Sequence, residues 1–228
     1  MVFPLGSVVN VAAIVVGGLI GLVAGGRLPE RVRSIVFTGL GLCVLVIGMQ
    51  MALITKNPLI MVFSVVLGCI TGELLRLEDR LTSVGDWLKA RSGSSDARFT
   101  DGFVTASVLF CIGSMAILGS FDEGLRGDHT ILFTKSILDG FASVAFAAAL
   151  GVGVIFSCIP VFLYQAGLTE LATVLQPWLT ESMMTELTAT GGVLILGIGL
   201  SLLEVRRIPL TNLLPALAFA PLLAWLVG

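Results

Sequence analysis

The sequence predicts an all-α, multi-pass transmembrane helical bundle, and three observations carry that prediction. Of 228 residues, 56% are hydrophobic and 12% charged, against about 25% charge in an average soluble domain. The stretches 5–26, 34–55, 57–72, 103–121, 140–169, 187–203 and 208–228 hold no Asp, Glu, Lys or Arg, and most approach or exceed the ~17–25 residues that cross a bilayer core. The remaining charge sits in the segments between them. We therefore expect six to seven spans in a single integral-membrane domain, 1–228.

The first span, 5–26, opens as "GSVVNVAAIVVGG" after a start with no basic region and no convincing cleavage site, so it is expected to stay in the mature protein. Gly17, Gly21 and Gly25 form a GxxxGxxxG series, which lets helix backbones approach closely and points to helix packing or self-association. Arg27, Arg31 and Arg33 follow it. Spans 34–55 and 57–72 are separated by Lys56 alone, in a short "TKNP" turn. The segment 76–101, with Arg76, Arg80, Lys89, Arg91 and Arg98, is the one long polar loop. By the positive-inside rule both basic segments are cytoplasmic, which puts the N-terminus outside.

Beyond residue 102 the charge bias conflicts with simple alternation. The segment 164–186 carries Glu170, Glu181 and Glu186 without a basic residue and reads as an outside loop, while Arg206 and Arg207 prefer the inside. A seven-span serpentine through 103–121 and 140–169 reverses both. The assignments agree if 103–121, with its Gly- and Ser-rich "CIGSMAILGS", dips in and returns. Such backbone must be shielded by protein or a wet cavity. An ordinary span with an imperfect charge bias is the alternative.

Shifting the numbering by 151 lays 41–59 onto 192–210. Gly41 meets Gly192, Gly48 meets Gly199, Lys56 meets Arg207 and Pro58 meets Pro209. Both copies run span, basic turn, proline, span. This predicts a duplicated three-helix unit: a first repeat over 1–75, a cytoplasmic loop over 76–101, a linker span or re-entrant segment over 102–135, and a second repeat over 136–228. Duplication of this kind is a common build of secondary transporters.

Several function classes are disfavoured. The net charge of −2 and scattered basic residues argue against nucleic acid. No phosphate loop, zinc-binding His pair or nucleophile elbow is present, so we expect neither an enzyme nor a cofactor. Cys43, Cys69, Cys111 and Cys158 each lie in an apolar stretch, without CxxC spacing, and read as small buried hydrophobes.

Taken together, "CIGSMAILGSFDEGLRGDHTILFTKSILDG", the opening "GSVVNVAAIVVGGLIG", "LGCITGELLRLEDRL" and the closing "GGVLILGIGLSLLEVRRIPLTNLLPAL" resemble the family of domain of unknown function 554, the YqgA/YdfK-like bacterial inner-membrane proteins. The resemblance covers nearly the whole chain. It implies an inner-membrane location and a transport protein of unspecified substrate, and it carries over no binding residue.

The candidate pathway residues are polar groups inside or beside apolar runs, where ionisable side chains are costly and so point to function. Asp139 and Lys135 share one helix face at the mouth of the 140–169 run. Asp139 either binds a cation or exchanges a proton there, with Lys135 tuning it, or merely caps a helix that starts near it. Asn10, Gln50 and Asn212 offer amides that bond a neighbouring helix or supply oxygen to a dehydrated cation. Glu73 stands at the cytoplasmic end of the third span. The 122–129 stretch, "DEGLRGDH", reads as a solvated loop, or as a vestibule or cation-loading site, and its His129, the one histidine, is of the type that senses pH in the physiological range. The oxygen-rich donor set favours hard cations or protons over soft metals, and the metal, if any, is unspecified. The expected partners are lipid, an ion or small solute, and further copies of the chain. A secondary transporter is the leading expectation, with a channel and a non-transporting membrane scaffold or sensor as rivals.

Overall fold

The computed structural model describes residues 3–25, 29–112, 114–175, 180–206 and 208–227; Arg27 and Arg207 of the basic clusters lie outside them. The chain folds into α1 (Leu5–Gly25), α2 (Glu30–Ala52), α3 (Pro58–Leu74), α4 (Leu77–Ser92), α5 (Phe99–Cys111), α6 (Ser114–Arg126), α7 (Thr130–Leu150), the short α8 (Gly153–Phe156), α9 (Cys158–Leu175), α10 (Glu181–Leu202) and α11 (Ala216–Val227), with a 3-10 turn at Leu210–Leu213. No strand occurs among the described residues. Five stretches, Leu5–Gly25, Thr130–Leu150, Gly153–Ala172, Glu181–Leu202 and Leu210–Val227, are long and apolar enough to cross a membrane. Two pairs bent by 59°, α3 with α4 and α5 with α6, raise the number to seven.

Local chemistry explains where these helices start and stop. Pro58 begins α3 where its missing N–H costs nothing, and the Asn57 side chain accepts from the Leu59 N–H at 3.2 Å. Thr180 caps α10 by accepting from the Met183 N–H. In α4, Glu78 and Asp79 occupy the first turn and Lys89 and Arg91 the last, complementing both ends of the macrodipole; the expected polar loop is thus largely helical. Helix α7 starts at Thr130, where Asp128 accepts from the Thr130 N–H at 2.9 Å. The hydrogen bonds from Thr130 hold the exposed Asp128 carboxyl below the usual carboxylate range.

Three expected boundaries move. The 140–169 run is divided between two candidate spans, α7 and the α8–α9 stretch, rather than forming one, because Gly151 adopts φ 84° and ends α7. An L side chain is strained in that region, and a Cβ there would collide with the Asp96 carboxylate, which accepts from the Val152 N–H at 3.2 Å. The acidic segment 164–186 is mostly helical, running in α9 to Leu175 and in α10 from Glu181. Residues 122–126 belong to α6 rather than to a loop.

The chain divides into two compact units. The first takes Met1–Val36 and Thr82–Pro177. Its spine is α1 against α7: Cβ atoms added at Gly17, Gly21 and Gly25 would strike the carbonyl oxygens of Gly140, Val144 and Ala148. The constant offset of 123 positions makes the two helices parallel. Helix α5 begins beside the end of α7, with Gly102 near Leu150 and Val154. Helix α6 ends beside the start of α7, with Glu123 against His129. The bent pair therefore runs from one end of α7 to the other, with a 59° bend between its two helices.

The second unit takes Phe37–Leu81 and Trp178–Gly228. A Cβ on Gly48 would lie 2.9 Å from the Gly192 carbonyl oxygen, and one on Gly41 would lie 3.4 Å from that of Gly199. Rising numbers on α2 meet falling numbers on α10, so the two are antiparallel. The 151-position shift turns the Gly41–Gly199 contact into the Gly192–Gly48 contact, so each exchanges into the other. Helix α11 lies antiparallel to α3, with Gly68 against Ala216 and Gly72 against Asn212.

Apolar side chains cover the outside. Ile137, Leu138 and Phe141 are exposed on α7, as are Val16, Leu19, Ile20 and Val23 on α1, and in a membrane protein such surface meets lipid. All four cysteines are free; Cys43 is exposed on α2, contrary to the buried reading, and the others are half-buried.

Candidate functional site

Asp139 lies in the third turn of α7, nine residues from the helix start, or about 14 Å along the axis at ~1.5 Å per residue. The reading of Asp139 as a cap at a helix start is thus excluded. Asp139 is 7% exposed and Lys135, one turn earlier, 6%. The Lys135 ammonium donates to Asp139 Oδ2 and stands 5.9 Å over the Phe110 ring of α5. Two opposite charges removed from water this way are stable only as a pair.

Asn10 of α1 joins them. Its Nδ2 donates to Asp139 Oδ2 at 3.0 Å and to Gln165 Oε1 of α9 at 3.1 Å. An ionised carboxylate only accepts, so Asp139 dictates that the nitrogen of Asn10 faces it; that nitrogen in turn dictates that the oxygen of Gln165 faces Asn10. Asn10 Oδ1 and Gln165 Nε2 are left buried without a partner, as is the Ser143 hydroxyl of α7. An orphaned polar atom in such a place costs about 1–3 kcal/mol. The cluster thus presents one acceptor and one donor, on side chains that are both 0% exposed, beside a neutral ion pair.

One turn towards the start of α1 is a second buried carboxylate. Glu123 of α6 is 0% exposed. Its Oε1 accepts from the Gly6 N–H at 2.5 Å and lies 2.8 Å from His129 Nδ1; its Oε2 accepts from the Thr169 hydroxyl at 3.1 Å and, more loosely, the Ser7 hydroxyl at 3.5 Å. Small residues make room for it: Gly124 sits against Thr169 and Ala172, and Gly119 against Leu132.

The second unit has its own polar contacts. Glu186 of α10 is buried and accepts from the Thr55 hydroxyl at 2.6 Å and the N–H groups of Lys56 and Asn57 at 2.8 and 3.0 Å. It closes the turn that leads into α3. Asn212 donates through Nδ2 to Glu73 at 2.7 Å and accepts through Oδ1 from the Glu78 N–H at 2.7 Å, while the Thr211 N–H donates to Glu78 at 2.9 Å. Both ends of the Asn212 amide are engaged, and they tie the 3-10 turn to the elbow between α3 and α4, where Arg76 takes φ 50°. Asn212→Ala is expected to destabilise the protein by about 1–3 kcal/mol, read as a lower thermal midpoint in detergent. An unchanged midpoint would mean the amide braces nothing.

Of the six residues singled out in the sequence, Asn10, Lys135 and Asp139 come together in the first unit. Asn212 and Glu73 come together in the second, with Glu73 exposed, and Gln50 is exposed on α2. Gln165 and Glu186 were missed, and Glu123 was weighed only as part of the 122–129 stretch. Gln165 is the one carboxamide within the 140–169 run, a signal that could have found it.

Ionisable and amide groups folded inward, with aliphatic and aromatic side chains outward, define a polytopic helical membrane protein. Comparison with known sequences places it further: the family described as "Protein of unknown function (DUF554)" matches residues 5–225, and the chain belongs to it. The chain is 35% identical to the uncharacterized protein YqgA of Escherichia coli (strain K12) over 221 residues, covering 95% of this chain and 94% of that one. It is 29% identical to the uncharacterized membrane protein YdfK of Bacillus subtilis (strain 168) over 226 residues, covering 97% and 96%. No solved structure matches.

Proposed function

We propose that the protein is a secondary transporter of the bacterial inner membrane, moving an ion or small solute without catalytic chemistry, and that its substrate binds at Asn10, Gln165, Lys135 and Asp139. The observation that carries this reading is the forced orientation of the two amides, which leaves Asn10 Oδ1 and Gln165 Nε2 wholly buried and unpartnered. A cluster serving packing alone gains nothing from two orphaned groups, whereas a binding site needs unspent hydrogen-bonding capacity. The Lys135–Asp139 pair supplies charge that a ligand can compete for without a net charge resting in the bilayer.

A topology goes with this proposal. With the apolar Thr38–Ala52 stretch of α2 and the 17-residue α3 counted beside the five long spans and the bent α5–α6 pair, the chain crosses eight times. With α1 entering from outside, Arg31, the α4 segment and Arg206 then lie inside and the α9–α10 connection outside, as the charges require. Lys56 and Glu181, 3.9 Å apart, fall together outside. Splitting the 140–169 run removes the charge conflict without a re-entrant segment. The exchanging Gly41–Gly199 and Gly48–Gly192 contacts of two antiparallel helices support an inverted repeat with its two-fold axis in the membrane plane. Single cysteines introduced at Arg98 and Asp128, in a variant lacking the four native ones, are expected to label from opposite sides; labelling from the same side would restore the re-entrant path.

The test of function is flux into proteoliposomes carrying the purified protein, screening sodium, potassium, protons and small carboxylates. Saturable uptake is expected. Flux that never saturates would indicate a channel, and silence across a broad screen, together with loss of a partner protein on deleting α4, would indicate a scaffold.

A further inference from the structure

Among the described residues, Glu123 and Glu186 are two carboxylates almost wholly removed from solvent that accept from backbone N–H groups at the start of another helix, and they differ in one respect. Every donor to Glu186 is a backbone N–H or a hydroxyl, so it acts as a fixed brace. Glu123 has in addition an ionisable partner, His129, whose side chain is 25% exposed. Imidazole exchanges protons near neutral pH, and here it joins water on one side to a buried carboxylate on the other.

We propose that Glu123 and His129 form the proton-binding site of the carrier, so that the coupling ion is a proton; this rests on the transport reading of the Asn10 cluster. The donors around Glu123 decide against a metal cation. The Gly6 N–H and the Ser7 and Thr169 hydroxyls present hydrogens to its two oxygens and His129 brings a ring nitrogen, whereas a hard cation needs a shell of oxygen lone pairs. A proton needs no displacement of ligands. In the transfer step the Nδ1–H bond of the imidazolium breaks and an O–H bond forms at Glu123 Oε1, leaving a neutral imidazole and a neutral carboxylic acid; water at the exposed ring edge supplies the proton that charges the imidazole.

The other charged groups nearby are few. On α6, Asp122 and Arg126 pair with each other at 3.4 Å, and Asp128 in the following turn accepts from the Thr130 N–H. Helix α1 has no ionisable side chain, the one carboxylate of α9, Glu170, is exposed, and Lys135 of α7 is taken by Asp139.

Coupling follows from which helices Glu123 holds. Its N–H donor, Gly6, is one turn before Asn10 on α1. Its hydroxyl donor, Thr169, is one turn after Gln165 on α9, and because the Gln165 carbonyl oxygen lies 3.0 Å from the same hydroxyl, the single O–H hydrogen is shared between that carbonyl and Glu123. A protonated Glu123 has a donor of its own and accepts less well from both helices. Their grip loosens at the end nearest the two amides that form the substrate site, so occupancy of one site alters the other.

The experiment is infrared difference spectroscopy of the full chain in phosphatidylethanolamine and phosphatidylglycerol vesicles, titrated with pH and following the carbonyl stretch of protonated carboxylic acid. It needs no substrate, so its outcome is separate from that of the flux assay. The wild type is expected to show such a band with an intensity that follows pH, and the Lys135→Met, Asp139→Leu double variant to keep it. Glu123→Gln is expected to lose it. In His129→Gln the imidazolium, whose charge favours the ionised carboxyl, gives way to a neutral amide, so the carboxyl binds its proton about tenfold more tightly or better and the band appears at higher pH. Should Glu123→Gln fail to assemble, His129→Gln decides alone. No titrating band in the wild type, a band that survives in Glu123→Gln, or one that titrates unchanged in His129→Gln overturns the proposal.

Discussion

Asp139→Asn is expected to abolish saturable uptake in proteoliposomes and, at the same time, to lower the stability of the protein. The second effect arises because the substitution leaves the Lys135 ammonium buried with no opposite charge, and breaking a buried pair by removing one partner costs about 3–5 kcal/mol. Loss of flux alone would therefore not separate a broken pathway from a broken fold. The double variant Lys135→Met, Asp139→Leu makes the separation, since an apolar replacement of the whole pair is often neutral or stabilising. It is expected to recover the thermal midpoint of the wild type while remaining silent in uptake. Recovery of both stability and flux would reduce the pair to a structural element and sink the proposed site.

Gly21→Leu is expected to be the most disruptive single change in the first unit. A Cβ at this position would run into the backbone carbonyl of Val144 and lie 3.0 Å from the Ala147 Cβ. Backbone cannot turn aside as a side chain can, so α1 must move off α7. Overpacking usually costs about 1–3 kcal/mol, and here the carbonyls facing Gly17 and Gly25 are displaced with it. The protein should aggregate or be degraded rather than insert stably. By contrast Val23→Leu, on the exposed face of the same helix, should leave yield and thermal midpoint unchanged. Equal behaviour of the two variants in detergent-solubilised yield would show that the glycine face does not set helix approach.

Where the chain crosses the membrane was largely legible, because hydropathy and the length of an uncharged run report directly on lipid exposure. Asn10, Lys135 and Asp139 stood out for the same reason: each is polar where lipid excludes polarity. Glu123 and Glu186 were misread as loop carboxylates because they fall near the ends of helices whose last or first turns are polar, and near a boundary a charge says nothing about which way it faces. Burial there depends on what neighbouring helices bring, such as the small residues Gly119 and Gly124 beside Glu123. Gln165 was obscured by treating 140–169 as one span. Its depth becomes apparent only once Gly151 is seen to turn the chain, and that turn depends on Asp96, more than fifty positions earlier in the sequence. The pairing of Asn10 with Asp139 was likewise invisible, since no local periodicity relates residues on helices so far apart.

The parallel seam between α1 and α7 also sets a timetable for biogenesis. Gly17, Gly21 and Gly25 of α1 each meet a partner 123 positions downstream, which at ~5–20 residues per second of synthesis is a wait of roughly 6–25 s. For that interval α1 sits in the bilayer with its glycine face open to lipid and Asn10 without Asp139. A ribosome that stalls before the end of α7 therefore leaves behind a first helix bearing an unsatisfied amide. Such a helix can bind the wrong neighbour, so α1 enters the membrane well before the seam that secures it exists.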